Sequence, residues 1–361
     1  MASQQRVKRV IFNQAYAANT VVSIPVPRNY DLETLYVTIT GTITYPGVLV
    51  AACVRNDAPF GLVQRCELIA EGRQTLFSVP GYVLGMCNIR RHKRTTYRER
   101  AETFDIHQTP PLAYTSPTTS MPISTAVPFA GTFAIDLVNI MGVRPKDTNL
   151  RTAGLQTLDL KLTLADLSSM FYPAAASVTP FAAPATTALP ALTGYTMTPG
   201  SLIVSASEIQ ELRDNNGRIS SPTWVQRWSH QDLNLASVQN DFQALLPTDN
   251  FMGNVFVTTK QTGESINGVI NNFILRRGID VRYNLPANTQ RALSNIDYDM
   301  ILPAGHYCLD LMGFGQQMTK LSDTWNLQGG ADTRLSVDVA VANSNMTMGV
   351  TSVEYIPLRQ G

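Results

Sequence analysis

The chain has 361 residues, enough for two ordinary domains, and its 44% hydrophobic content can fill two cores. Charged residues make up only 15% against the roughly 25% usual in soluble domains, and the net charge is +1; the chain as a whole is not built to coat a polyanion, and its surface suits burial against neighbours. Cys53, Cys66, Cys87 and Cys308 form no C-x-x-C pair and have no His at zinc-ligand spacing, so they read as reduced core residues, and no metal or cofactor is expected.

Met1 to Arg9 is polar and basic with no apolar core: a basic arm and not a secretory signal, which points to synthesis and assembly in a cytoplasm. Alternation rich in β-branched residues then predicts strands at Thr20 to Val26, Leu35 to Thr44, Leu62 to Ile69, Arg73 to Ser78, Thr103 to His107, Thr132 to Val138, Leu158 to Leu164 and Leu202 to Ile209. The same texture returns at Val255 to Thr259, Val269 to Leu275, His306 to Leu311, Leu335 to Val341 and Met346 to Tyr355. Short helices are expected at Pro80 to Arg91 and Pro286 to Leu293, each opened by a proline where its missing N–H costs nothing. Pro173 to Pro199 is apolar, but Pro180, Pro184 and Pro190 would interrupt a spanning helix. The fold class is all-β.

The chain also repeats. Gly61-Leu62-Val63-Gln64, a strand, Gly72 and Pro80 answer to Gly268-Val269-Ile270-Asn271, a strand, Gly278 and Pro286. Gly131 to Leu137 reads against Gly305 to Leu311, with glycine, aromatic, aliphatic and Asp-Leu in register. Leu158-Asp159-Leu160 matches Val337-Asp338-Val339, and Val204-Ser205 with Glu208 matches Val350-Thr351 with Glu354. Four blocks in one order imply a duplicated sandwich: residues 1–213, a linker over 214–222 marked by Asp214-Asn215-Asn216-Gly217 and Pro222, and residues 223–361. The first half carries two long insertions rich in Pro, Ala, Ser and Thr, at 108–128 and 166–199.

These blocks, with Leu62-Val63-Gln64-Arg65 leading to Gly81-Tyr82, the late Leu302-Pro303-Ala304-Gly305-His306-Tyr307-Cys308 strand and the closing Gly349 to Tyr355 strand, resemble the major capsid proteins of tailless icosahedral bacteriophages of the tectivirus and corticovirus type. The resemblance implies a double jelly roll, two tandem eight-stranded β-sandwiches side by side, with short helices and with long loops in the first. It implies a homotrimer that forms pseudo-hexagonal capsomers of a virion shell, meeting neighbouring capsomers and penton, vertex or minor capsid proteins. A vertex or spike protein of the same virion is the structural alternative. A carbohydrate-binding or glycoside-hydrolase sandwich is the enzymatic one.

Enzymatic motifs are missing. His92, His107, His230 and His306 form no metal or nucleophile pattern, and there is no phosphate loop. Asp136 with Asp310, and Asp159 with Asp338, invite comparison with a glycosidase pair, but as copies in different halves they belong far apart, whereas that chemistry needs one cleft. Trp224, Trp228 and Trp325 read as core or interface anchors. No catalytic residue is expected.

The concentrated charge is Arg90, Arg91, Lys93, Arg94, Arg98 and Arg100 against Glu99, joined by Arg6, Lys8 and Arg9 of the arm. A solvated helix end or an intersubunit ion-pair surface is the plain reading. Counting Leu62 to Ile69 as strand D, Arg73 to Ser78 as E and Thr103 to His107 as F places the run between E and F. The insertions then fall between F and G and between H and I, and the alternation of strand directions puts them at the opposite end. The arm would lie beside the run. With the insertions as an outward tower, both basic patches would face in, toward an internal membrane or the genome.

Overall fold

The structure, a computed structural model, describes residues 6–44, 51–52, 60–85, 119–120, 126–137, 149–152, 154–166, 169, 177–178, 187–188, 196–209, 224–261, 264–298, 302, 304–311, 324–328 and 332–357. Among the described residues, eight strands of five residues or more make the first half: β1 (Arg6–Ala15), β2 (Val21–Pro25), β3 (Asp31–Thr44), β4 (Val63–Ala70), β5 (Gln74–Val79), β6 (Ala126–Asp136), β7 (Leu158–Leu164) and β8 (Thr196–Ile209). Eight more make the second: β9 (Trp224–Asn234), β10 (Gln239–Leu246), β11 (Phe251–Gln261), β12 (Ile270–Arg277), β13 (Asp280–Pro286), β14 (His306–Asp310), β15 (Thr333–Val339) and β16 (Met346–Pro357). Helix α1 (Ala287–Tyr298) follows β13, and a helical turn at 81–85 follows β5.

Each half is a sandwich with the same strand order. In the first, β1-β8-β3-β6 faces β2-β7-β4-β5; in the second, β9-β16-β11-β14 faces β10-β15-β12-β13. Every strand therefore has its equivalent eight strands later. Local pattern explains the packing: in β7 each leucine is buried and Asp159, Lys161 and Thr163 between them are half-exposed, as an alternation of period two requires. The halves join where β5 and β9 run parallel, with Phe77 opposite Trp228, so one inner sheet of the first half continues into a sheet of the second.

Strand directions fix the ends. Within each sheet all neighbours are antiparallel, and β5 parallel to β9 makes the two halves stand the same way up. The flanks of connections 45–62, 80–125 and 165–195 all lie at one end, called here the insertion end, together with those of 287–305 and 340–345. Ala51–Ala52 pairs with Thr119–Ser120 and so ties the first two of these connections together. The tight hairpins at 71–73 and 278–279, and the start of β1, lie at the other end.

That geometry corrects the strand count. Arg6–Ala15 is not an arm but a strand, hydrogen-bonded to β8 from Arg6↔Ile209 to Ala15↔Ser201. Missing it shifted the count by one as far as Gln74–Val79, so the strand at Val63 is the fourth and Gln74–Val79 the fifth; the strand expected at Thr103 to His107 restored the count from Ala126 onward. The flanks of Arg90 to Arg100, Val79 and Ala126, lie at the insertion end, and Arg6 lies at the hairpin end; the run and β1 are not brought together by the described strands. The run, Thr103 to His107, the linker 214–222 and most of both insertions lie outside the described residues.

Cross-strand registers test the repeat. Asp136 lies opposite Thr34 and accepts its hydroxyl at 3.0 Å, while Asp310 lies opposite Asn254 and accepts its amide at 3.0 Å. Four residues along, Thr38 meets Thr132 at 2.9 Å and Thr258 meets His306 at 3.1 Å. The block containing Glu208 and Glu354 is also in register, and both copies carry a bulge at the same place in the facing strand, Glu33 and Gly253. The third block is on equivalent strands but four residues out: Leu162 sits opposite Cys66, and the matching Val337 sits opposite Phe273. The first block's hairpins are equivalent too, although one turns through three residues around Gly72 and the other through two from Gly278.

Candidate assembly interface

Strand β11 shows where the halves meet. Its residues from Met252 to Thr259 are all buried, without the alternation of a sheet with one wet face, because both faces are covered. Val255 and Val257 point into the second core, with Phe273, Leu275 and Tyr307. Phe256, with Trp224, Cys308, Val353 and Tyr355, points the other way and completes the core of the first half. At the junction Trp228 stacks on Phe256 at 6.0 Å between ring centroids and tilts against Phe77 at 5.3 Å, and its indole N–H donates to Gln226 Oε1 at 3.1 Å. Aromatic contacts of this kind add about 0.5–1.5 kcal/mol each beyond the area they bury.

Toward the insertion end the seam becomes polar. Tyr82, in the helical turn after β5, places its hydroxyl 3.4 Å from His230 Nε2 and its ring 3.3 Å under the Lys260 ammonium. The other His230 nitrogen contacts the Thr351 hydroxyl at 2.8 Å, and Nε2 lies 3.1 Å from Asp232 Oδ1. The hydrogen bond from His230 holds the Asp232 carboxyl below the usual carboxylate range, against the opposing effect of burial. Gly349 makes this approach possible, since a Cβ there would meet the Tyr82 hydroxyl at 2.6 Å. A Thr-His-Asp line invites a hydrolytic reading, but Thr351 is buried mid-strand with no room for a substrate.

The first half owns the equivalent face, and no described strand of the chain covers it as β5 covers that of the second. From the registers, Lys8 corresponds to Trp228, Val10 to His230, Tyr36 to Phe256, Ala134 to Cys308 and Ser205 to Thr351. The Lys8 ammonium lies 5.5 Å over the Tyr36 ring, where the second half has indole over phenyl, and Val10 is 60% exposed. Strand β1 forms one edge of its sheet, and β13 forms one edge of the other sheet of the second half.

A buried glutamate held by an arginine recurs in both halves, but the arginines are not equivalent: Arg227 lies opposite Glu354, whereas Val7 lies opposite Glu208 and Arg9 reaches it from two residues along. Glu208 and Glu354 are buried on β8 and β16; Arg9 reaches Glu208 at 2.8 Å, and Arg227 reaches Glu354 at 2.7 Å, where Asn250 also donates at 2.8 Å. Arg6 binds Glu33 through two nitrogens at 2.7 and 2.8 Å. Two of the three β1 cations expected to meet a membrane or genome are thus bound to carboxylates of their own sheet, and Lys8 sits on Tyr36. Asp159 and Asp338 lie on β7 and β15 of separate sandwiches, as Asp136 and Asp310 lie on β6 and β14, and neither pair shares a cleft. Cys66 and Cys308 are buried free thiols, and burial pushes the Cys66 thiol up. Among the described residues no group of three or more His, Cys, Asp or Glu side chains could hold a metal ion. His92, His107, Cys53 and Cys87 lie outside them.

The same arrangement recurs in solved structures. The chain superposes on the STIV MCP with a TM-score of 0.69 at 16% identity, covering 98% of this chain and 97% of that one. A chain in the atomic structure of Sulfolobus Turreted Icosahedral Virus gives 0.69 at 15% identity, with 98% and 91% covered. The major capsid protein P2 of bacteriophage PM2 gives 0.56 at 12% identity, with 99% and 100% covered. The chain is a double jelly roll. No family model and no curated protein matches its sequence.

Sequence reasoning missed four strands of this double jelly roll: β1, β9, β10 and β13. Three of them, β1, β10 and β13, are edges with exposed polar positions, as in Asp280–Pro286, where Asp280, Val281 and Arg282 are exposed, while β9 pairs with β16 on one side and meets β5 through a single bridge on the other. Pro80, just after β5, and Pro286, the last residue of β13, hold matching positions and were the available signal that a strand ends there in both halves.

Proposed function

We propose that this double jelly roll is the major coat subunit of an icosahedral viral shell and works as a homotrimer. The observation that carries the proposal is the parallel β5–β9 junction: it stands two equivalent sandwiches side by side with matching ends, so three copies supply six similar sandwiches and a pseudo-hexagonal outline. Likeness over nearly the whole length of both chains to a major capsid protein supports the reading. Neighbouring capsomers and penton, vertex or minor capsid proteins are the partners it calls for, and the virion, assembled in a host cytoplasm, is its place. The insertion end, where the long connections of the first half are anchored, is then the outer end.

Light scattering on soluble protein should give three times 39.6 kDa, and electron microscopy of purified particles should show the chain as the dominant shell component. A stable monomer at micromolar concentration, or a minor band at the vertices, refutes the role. An inward contact of Arg90, Arg91, Lys93, Arg94, Arg98 and Arg100 with a membrane or genome is not part of this proposal, because the strands that flank the run, ending at Val79 and starting at Ala126, leave it from the insertion end, taken here as outer.

A further inference from the structure

We infer that Asn267-Gly268 is a self-modifying site: Asn267 loses its side-chain amide as ammonia, and the aspartate left behind is held by Gly305 and Arg291. The dipeptide stands in the connection between β11 and β12, and both residues are exposed. This connection lies against the end of connection 287–305, since Thr259 N–H donates to the Gly305 carbonyl and Ile266 N–H to the Thr259 carbonyl. Asn267 Oδ1 accepts the Gly305 N–H at 2.7 Å and an Arg291 Nη1–H at 3.1 Å. Both neighbours can only donate, so the amide must face them with its oxygen. Among the described residues nothing accepts from Asn267 Nδ2 or from the Gly268 N–H. The carbonyl oxygen is anchored, while the leaving amide and the attacking nitrogen are not.

Glycine lets the backbone close on the side chain. Gly268 has no Cβ, and nothing lies within 4 Å of where one would stand, so its nitrogen can approach Asn267 Cγ. The Gly268 N–H gives its proton to hydroxide or water, the nitrogen adds to Cγ, the Cγ–Nδ2 bond breaks, and ammonia leaves behind a cyclic imide. Water then opens the ring to an acid, so a water is consumed and an ammonia released. Negative charge gathers on Oδ1 as nitrogen adds to Cγ, and the Gly305 N–H and the Arg291 guanidinium already stand there. The same donors polarise that carbonyl in the imide. Water attacking it gives aspartate, whereas attack at the other carbonyl gives isoaspartate and lengthens the main chain. The aspartate also gains, because both bonds to a neutral oxygen become charge-assisted bonds to a carboxylate. Arg291 is half-buried, donating to the Leu302 and His306 carbonyls at 2.7 and 3.3 Å, and burial opposes its charge. A carboxylate at 267 offsets that penalty and ties the β11–β12 connection to α1 and to the start of β14.

The test is to age purified wild-type protein at mildly alkaline pH, folded and in urea, and to follow tryptic peptide 261–276 by mass spectrometry. Trypsin separates it from peptide 214–218, which holds the chain's other Asn-Gly pair. In folded protein the peptide should gain the mass difference between O and NH, placed at Asn267 by fragmentation, and protein isoaspartyl methyltransferase should label it weakly. The peptide aged in urea should be labelled strongly, and Asn267→Gln should keep its mass over the same period. Asn267→Asp should melt above freshly prepared wild type, aged wild type should move toward it, and the shift should vanish in an Arg291→Met background. Three results each overturn the inference: an Asn267 amide that survives in folded protein while the urea sample converts, isoaspartate as the main folded product, or Asn267→Asp melting no higher than fresh wild type.

Discussion

Phe256→Ala and Tyr36→Ala change equivalent positions, one covered within the chain and one open, and their contrast measures what the seam contributes. Phe256 is 3% exposed, stacks on Trp228 and packs in the core of the first half although it belongs to the second. Truncation removes the transfer free energy of a buried ring and leaves a cavity between two sheets already fixed by their ladders, so the expected cost is about 3–5 kcal/mol. Tyr36 is half-exposed and has the Lys8 ammonium 5.5 Å over its ring. Its loss in a single chain should cost about 1 kcal/mol, mostly that cation contact. Urea unfolding at several protein concentrations separates the two effects, because only a contact between copies makes apparent stability depend on concentration. The Phe256→Ala loss should be the same at every concentration, and the Tyr36→Ala loss should grow as the protein assembles. Equal losses for the two variants in dilute protein, or a Phe256→Ala cost below about 1 kcal/mol, would refute the placement of Phe256 as a shared core residue.

Arg227→Met leaves the buried Glu354 carboxylate with Asn250 alone and should cost about 3 kcal/mol, the lower part of the range for a broken buried pair because Arg227 is partly exposed; adding Glu354→Gln should recover most of it, as a double-mutant cycle in urea would measure. Gly305→Ala should be far worse than Gly278→Ala: both have positive φ, at 70° and 55°, but a Cβ at Gly305 meets the Thr259 and Ile266 carbonyls at 2.6 Å while Gly278 faces open space. Thermal melting should register a loss of about 1–2 kcal/mol for Gly278→Ala, the penalty of left-handed backbone, and a soluble yield near zero for Gly305→Ala. The depressed Asp232 carboxyl contributes stability that is fully present above its unfolded pKa of about 4 and is lost as pH falls through the lower folded value. The melting-temperature gap between wild type and Asp232→Asn should therefore narrow below about pH 4, and a gap that stays constant on acidification would exclude the His230 contact as its source.

Much of the fold was legible because some blocks carry landmarks that alternation lacks. The glycine, aromatic and Asp-Leu of Gly131 to Leu137 and Gly305 to Leu311 occur once per half, and Asp136 and Asp310 came out in register. Leu158, Leu160, Leu162 and Leu164 repeat with period two, so every even shift preserves the buried face, and the match to Val337 and Val339 slipped by four. Strand β1 was read as an arm because three of its first four residues are basic, which is how an exposed edge is protected from wrong pairing; its alternation of Arg, Val and Lys is as regular as that of any inner strand.

The sequence by itself determined that the chain is all-β, that it is duplicated, and that the first copy carries the long connections, since strand pattern and the order of repeated blocks are local properties. Which end those connections leave from was decided only by the folded chain, because it depends on counting every strand and on the parallel β5–β9 junction, a pairing between residues 77 and 228 that no local pattern announces. The same holds for the seam. Phe256 and Tyr36 are equivalent aromatic residues on equivalent strands, and the contact that buries one and leaves the other open is made by a different half of the molecule, so it has no signature in the residues around either.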